Sequence, residues 1–191
     1  MQILKPSSPV WVGISGGSGA WYAKALVEKL IEKYGSVDLT CTEPGLLVMK
    51  HELGVQGSLD SFPVNELWGD AKINYYKNNN LFAPMATGSN AYKAGIIVPC
   101  SMATLGRIAG GISESLLTRA ADVQLKERRK LILVPRETPY STIHLENMLK
   151  ISQAGGIILP ASPGFYNDPK TLDDCVEFIV NRIMKFLIDE L

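Results

Sequence analysis

Short apolar runs rich in valine and isoleucine, bounded by glycine and proline, alternate along this chain with longer segments of helical periodicity. That alternation predicts an α/β domain whose parallel sheet is covered by helices. PVWVGI, from Pro9 to Ile14, reads as the first strand. Residues 19–33 read as a helix with Ala20, Ala23, Leu26, Val27, Leu30 and Ile31 along one side. VDLTC at 37–41 follows as the second strand. GIIV at 95–98, LILV at 131–134 and GIIL at 156–159 read as strands buried on both faces, and each stops at a proline.

The least regular stretch is 69–94, with asparagines at 78–80, and it reads as a long loop or excursion within one domain. The last helix is expected from about Leu172 to the chain end. Thr171 is its cap, Asp173 and Asp174 lie in its first turn, and Leu172, Val176, Ile179, Ile183 and Leu187 form its core stripe.

With 191 residues, 46% of them hydrophobic and 20% charged, the chain suits a single globular domain spanning 1–191. Nineteen basic residues balance nineteen acidic ones, so the overall charge does not point to nucleic acid or a membrane surface as partner. The zero conceals a segment of +3, Leu105 to Glu137, and one of −3 from Asp168 onward. No apolar run approaches the ~18 residues of a membrane span, and MQILKPSSPVWVG lacks the features of a secretory leader, so a cytoplasmic protein is expected. Three widely spaced cysteines argue against a disulfide framework, and two histidines are too few for most zinc sites. A metal-independent enzyme or binding protein is the expectation.

GISGGSG, from Gly13 to Gly19, is a glycine-rich turn between an apolar strand and an amphipathic helix. Such a turn lets backbone N–H groups approach a phosphate at the positive end of the helix. Its spacing matches neither the dinucleotide nor the P-loop pattern, which leaves a mononucleotide, with Ser18 as a candidate contact, or a ligand-free tight turn. PCSMATLGRIAGG, from Pro99 to Gly111, repeats the logic. Ser101 or Thr104 can sit where a helix begins at the carboxyl edge of the sheet, as a ligand contact or an ordinary cap. Cys100 beside them reads as a buried small residue.

On a helix through 115–129, Arg119, Asp122, Lys126 and Arg129 share one face, as a solvated surface or as an anion clamp. LILV runs into PRETP, which puts Arg136 and Glu137 at the end of a central strand, and a partly buried Glu137 could carry a proton. Tyr166, in the proline-rich loop PASPGFYNDP, could stack on or hydrogen-bond to a ligand, or simply pack. Arg182 lies beside the apolar stripe of the last helix, where an arginine is ordinarily solvated.

GISGGSGAWY, VPCSMATLGRIAGG, the block from Leu116 to Tyr166 and DPKTLDDCVEFIVNRI together resemble the UbiX-type flavin prenyltransferases. The resemblance implies a three-layer Rossmann-like or flavodoxin-like flavoprotein that joins a dimethylallyl group from dimethylallyl phosphate to N5 and C6 of reduced FMN. The product, prenylated FMN, would serve a UbiD-type decarboxylase. The family works without a metal ion and assembles as homo-oligomers, commonly dodecamers, with sites between subunits.

Position by position, the resemblance makes Gly16, Gly17 and Ser18 the flavin-binding turn, Thr42 an FMN contact, and Ser101, Met102, Ala103 and Thr104 a second flavin-binding turn. Arg136 would contact FMN, with Tyr166 and Arg182 on the prenyl phosphate. Ser18, Arg119, Lys126 and Glu137 would be the polar catalytic residues, Arg119 and Lys126 also meeting the phosphate, with Glu137 as proton shuttle. The chain departs from the family pattern in reading GGSG for GASG, in Glu43 after Thr42 where a basic residue is common, and in Leu81 where some members have an aromatic residue. Two other readings accompany this one. They are a decarboxylase of the related flavin-dependent cysteine-decarboxylase group, whose P-x-M-N-x-x-M stretch and active-site histidine are not found, and a non-catalytic flavin-binding subunit.

Overall fold

The computed structural model describes residues 9–188. Residues 1–8, on which the leader-peptide reading partly rests, and 189–191 lie outside them; the last helix, expected to run to the chain end, already stops at Lys185 with Phe186 as its cap.

The strands are β1 (Val10–Ile14), β2 (Val37–Cys41), β3 (Ile73–Tyr75), β4 (Ala94–Cys100), β5 (Lys130–Pro135) and β6 (Ile157–Ile158). All pair in parallel, in the order β3-β2-β1-β4-β5-β6. The helices are α1 (Ala20–Tyr34), α2 (Glu43–Leu53), α3 (Val64–Trp68), α4 (Met102–Ala109), α5 (Leu116–Lys126), α6 (Thr142–Gln153) and α7 (Leu172–Lys185). Strand order reverses between β1 and β4, so the chain leaves those two strands in opposite directions and opens a crevice at their carboxyl ends, where ligands bind in doubly wound sheets.

Alternation along each strand divides the core. Val10, Val12 and Ile14 of β1 face one layer with Leu26, Val27 and Leu30 of α1 and Ile179, Val180 and Ile183 of α7. Trp11 faces the other layer with Leu105 of α4, Leu117 and Ala121 of α5, and Leu131 and Leu133 of β5. The two helix layers make the doubly wound, three-layer architecture that was expected.

Five of the six stripe positions expected on α1 are buried, Ile31 being half-buried. Thr171 caps α7 through a reciprocal bond pair with Asp174, whose carboxylate the Lys170 and Thr171 N–H groups hold below the usual range.

Several expectations are corrected. GIIL is a short, half-buried edge strand, because nothing pairs beyond β6. The 69–94 stretch is not all loop, since β3 lies within it as the opposite edge. Its remainder carries the 3-10 turn Pro84–Ala86 and folds Met85 and Tyr92 onto the second core. Leu172, at the start of α7, is 84% exposed instead of joining the stripe, because it faces an open cavity shared with Trp21 and Tyr22. Arg129 does not share the α5 face, because the helix ends at Lys126 and Arg128 turns left-handed at φ 56°. Arg129 instead donates to the carbonyls of Asn90 (2.6 Å) and Gly88 (2.7 Å).

Candidate active site

The crevice between β1 and β4 is held by one buried hydroxyl. Ser15, fully buried after β1, donates from Oγ to the Pro99 carbonyl (3.0 Å) and accepts from the Ser101 N–H (2.8 Å), tying the two turns together. On one side of the glycine turn lies a cavity of about 470 Å³, and on the other a cavity of about 590 Å³, both within the range that holds cofactor-sized ligands.

Gly16 lines the smaller cavity together with the starts of α2, α4 and α5. A Cβ on Gly16 would lie 2.6 Å from Cβ of Pro44, so only glycine lets the turn and α2 approach this closely. Thr42 caps α2 by accepting from the Gly45 N–H (3.1 Å). Ser101 caps α4 by accepting from the Thr104 N–H (3.2 Å) and gives its own proton to Thr104 Oγ1 (3.0 Å), which leaves the Thr104 hydroxyl hydrogen for a ligand. The N–H groups of Met102 and Ala103, at the first two positions of α4, have no acceptor within the helix. Met102 turns its side chain into the core, and Ala103 lines the cavity. The start of α5 is closed instead, since Leu116 and Leu117 donate to the Asn78 carbonyl (2.7 Å) and Oδ1 (3.0 Å).

Ser18, Gly19, Trp21 and Tyr22 line the larger, mostly apolar cavity with His51, Glu52 and Arg136. Here the structure departs from the expectation of a free helix start. The Glu52 carboxylate accepts from Gly19 N–H (3.0 and 3.1 Å) and Ala20 N–H (2.7 Å), so the positive end of α1 already holds an internal anion. The N–H groups of Gly16, Gly17 and Ser18 upstream remain for a ligand. Arg136, at the end of β5, reaches the Ser18 carbonyl through Nε (3.4 Å). Burial, assisted by Cys175 and Glu52 and opposed by Arg136, raises the Tyr22 phenol above its ordinary pKa and keeps it a neutral donor.

Tyr166 and Arg182 come together in a third, open cavity of about 780 Å³, where the Tyr166 ring meets Phe178 edge-on at 5.9 Å. Arg119 and Lys126 do not join Ser18. Arg119 donates to the Ala86 carbonyl (3.1 Å) and pairs with Asp122 (2.8 Å), while Lys126 pairs with Glu127, holding that carboxyl below its usual range. Glu137 is half-buried, accepts from the Thr138 N–H (3.0 Å) and lines none of these cavities. Cys100 is fully buried with its thiol pushed above the ordinary range, the packing role expected of it. Among the described residues, no group of three or more His, Cys, Asp or Glu is placed to hold a metal, and no helix is long and apolar enough to cross a membrane.

The profile of the flavoprotein family matches residues 3–184. A flavin prenyltransferase UbiX from Halalkalibacterium halodurans is 47% identical over 91% of this chain and 85% of its own length. This chain belongs to the UbiX flavin prenyltransferases. A solved UbiX in complex with FMN and dimethylallyl pyrophosphate is 35% identical with a TM-score of 0.85, covering 94% of this chain and 92% of its own. A dodecameric FMN-dependent UbiX-like decarboxylase from Escherichia coli is 37% identical with a TM-score of 0.84, covering 98% and 96%. The peptidyl-cysteine decarboxylases share the fold alone, at 16% identity and a TM-score of 0.60.

Four residues that the sequence pattern does not single out also build the site: Ser15, Glu52, Asn78 and Arg107, the last two lining the smaller cavity. Ser15 lay within the glycine motif and Asn78 within the asparagine run, both visible signals. Glu52 acts across a separation of 33 residues and left none.

Proposed function

We propose that this chain transfers a dimethylallyl group from dimethylallyl phosphate to N5 and C6 of reduced FMN, making prenylated FMN for a UbiD-type decarboxylase in the cytoplasm. The observation that carries this reading is the pair of cavities flanking the glycine turn at the switch point of a UbiX-family sheet. The smaller has the donors for a flavin phosphate: the Met102 and Ala103 N–H groups, the Thr104 hydroxyl and the cradle left open by Gly16. Thr42 and Ser101 fix the helix starts that frame it. Bound there, reduced FMN supplies the nucleophile, so no protein nucleophile is required.

The larger cavity offers apolar walls at Trp21, Ala161 and Val176 for a five-carbon group, with Ser18 and Arg136 at its edge. Tyr166 and Arg182 hold the donor phosphate, and Glu137 moves the proton. Arginine and lysine neutralise the charge that develops on a departing phosphate. Arg119 and Lys126 supply that charge from a neighbouring copy in a homo-oligomer, a dodecamer, because within one chain they lie against residues 86–88 and away from the turn. The FMN and dimethylallyl pyrophosphate of one relative and the dodecamer of another support this arrangement.

Anaerobic incubation with reduced FMN and dimethylallyl monophosphate or diphosphate is expected to yield a flavin heavier by one five-carbon prenyl unit. No mass change with either donor overturns the reading. Mixing Lys126→Ala with Arg182→Ala subunits, each inactive alone, is expected to restore part of the activity. Mixtures as inactive as the parents would place both residues in one chain's site.

A further inference from the structure

Among the residues lining the smaller cavity, three carry charge: Glu43 at the start of α2, Glu114 just before α5, and Arg107 on α4. The two carboxylates repel an approaching phosphate dianion, and partial charges at helix starts fall off within one turn. Arg107 is the single cation among these lining residues. It projects from the second turn of α4, one turn beyond Thr104, is exposed, and has no carboxylate within ion-pairing distance among the described residues. Its five N–H donors are therefore uncommitted. Three bases on or just after α5 are, by contrast, occupied: Arg119 by Asp122, Lys126 by Glu127, and Arg129 by two carbonyls.

We propose that Arg107 is a specificity residue of this cavity, recognising the terminal phosphate of FMN and setting the preference for FMN over riboflavin. The proposal rests on the reading of the smaller cavity as the flavin site. The guanidinium offsets Glu43 and Glu114 and gives a charge-assisted bond to a phosphate whose other oxygens face the Met102 and Ala103 N–H groups and the Thr104 hydroxyl. Riboflavin ends in a neutral hydroxyl and has nothing for the guanidinium to neutralise.

The test measures dissociation constants of FMN and riboflavin by flavin fluorescence on the full chain. For Arg107→Ala, FMN is expected to bind at least tenfold more weakly and riboflavin within twofold of the parent, with Arg107→Lys recovering most of the FMN loss. Unchanged FMN affinity, or equal weakening of both flavins, overturns the role of Arg107. Gly16→Val, which fills the same cavity, separates the two ideas. Loss of both flavins in that variant supports the cavity assignment whatever Arg107 does, and retention of both overturns it.

Discussion

The two cavities beside the glycine turn are built from the same material, strand ends and helix starts, and differ in what meets the helix starts. In the smaller, the first N–H groups of α4 are left open and the nearest caps are neutral hydroxyls. In the larger, the first N–H groups of α1 are filled by the Glu52 carboxylate, carried on the last turn of α2. A glycine-rich turn before a helix is thus not by itself an anion site, and the start of α4 is open without one. An internal acid can take the place of the ligand and leave a cavity whose remaining surface is mostly apolar. One turn thereby separates a cavity with open phosphate donors from a more apolar one, as a reaction between a nucleotide and a prenyl donor requires.

The largest expected effect comes from closing the smaller cavity. In Gly16→Val the new side chain meets Pro44 where even a Cβ would sit at 2.6 Å, so α2 must move or the turn must open. FMN affinity is expected to fall more than tenfold, above ~1.4 kcal/mol. Equilibrium dialysis with FMN measures it, and tight binding by this variant would mean that the turn does not frame the flavin site.

A smaller effect is expected where the two turns are tied. Ser15→Ala leaves the Ser101 N–H without its acceptor, a loss of roughly 1–3 kcal/mol for a buried donor. FMN binding should weaken with stability, because Ser101 starts the helix whose N–H groups line the cavity. A thermal melt and an FMN titration on the same sample check both, and unaltered FMN affinity in a destabilised variant would separate the tie from the site.

The central strands are readable because short β-branched runs bounded by glycine and proline favour buried strands over buried helix, and the turns after β1 and β4 because their glycine and serine content is local. β3 is not, since three half-buried residues at an edge carry no pattern. α6 carries no clear pattern for a related reason. Ile143, Leu145 and Leu149 are exposed and only Ile151 is buried, so its apolar residues do not form the stripe that marks a helix packed on its own sheet. The division of the site residues into separate clusters was equally invisible. Arg119 and Lys126 share a helix face in sequence, but which surface that face meets depends on the path of residues 86–90.

The smallest of these effects tests the internal anion directly. Glu52→Ala removes the acceptor of the Gly19 and Ala20 N–H groups, and loss of such a cap costs about 1 kcal/mol, or roughly 2–4 °C in Tm for a chain of this size. With the carboxylate gone, the start of α1 becomes an open anion site like that of α4. Inorganic phosphate is then expected to raise the Tm of the variant more than that of the parent, because a ligand stabilises only the state that binds it. An equal phosphate shift in both proteins would mean that the carboxylate was not what distinguished the two cavities, and that their difference lies in the apolar walls alone.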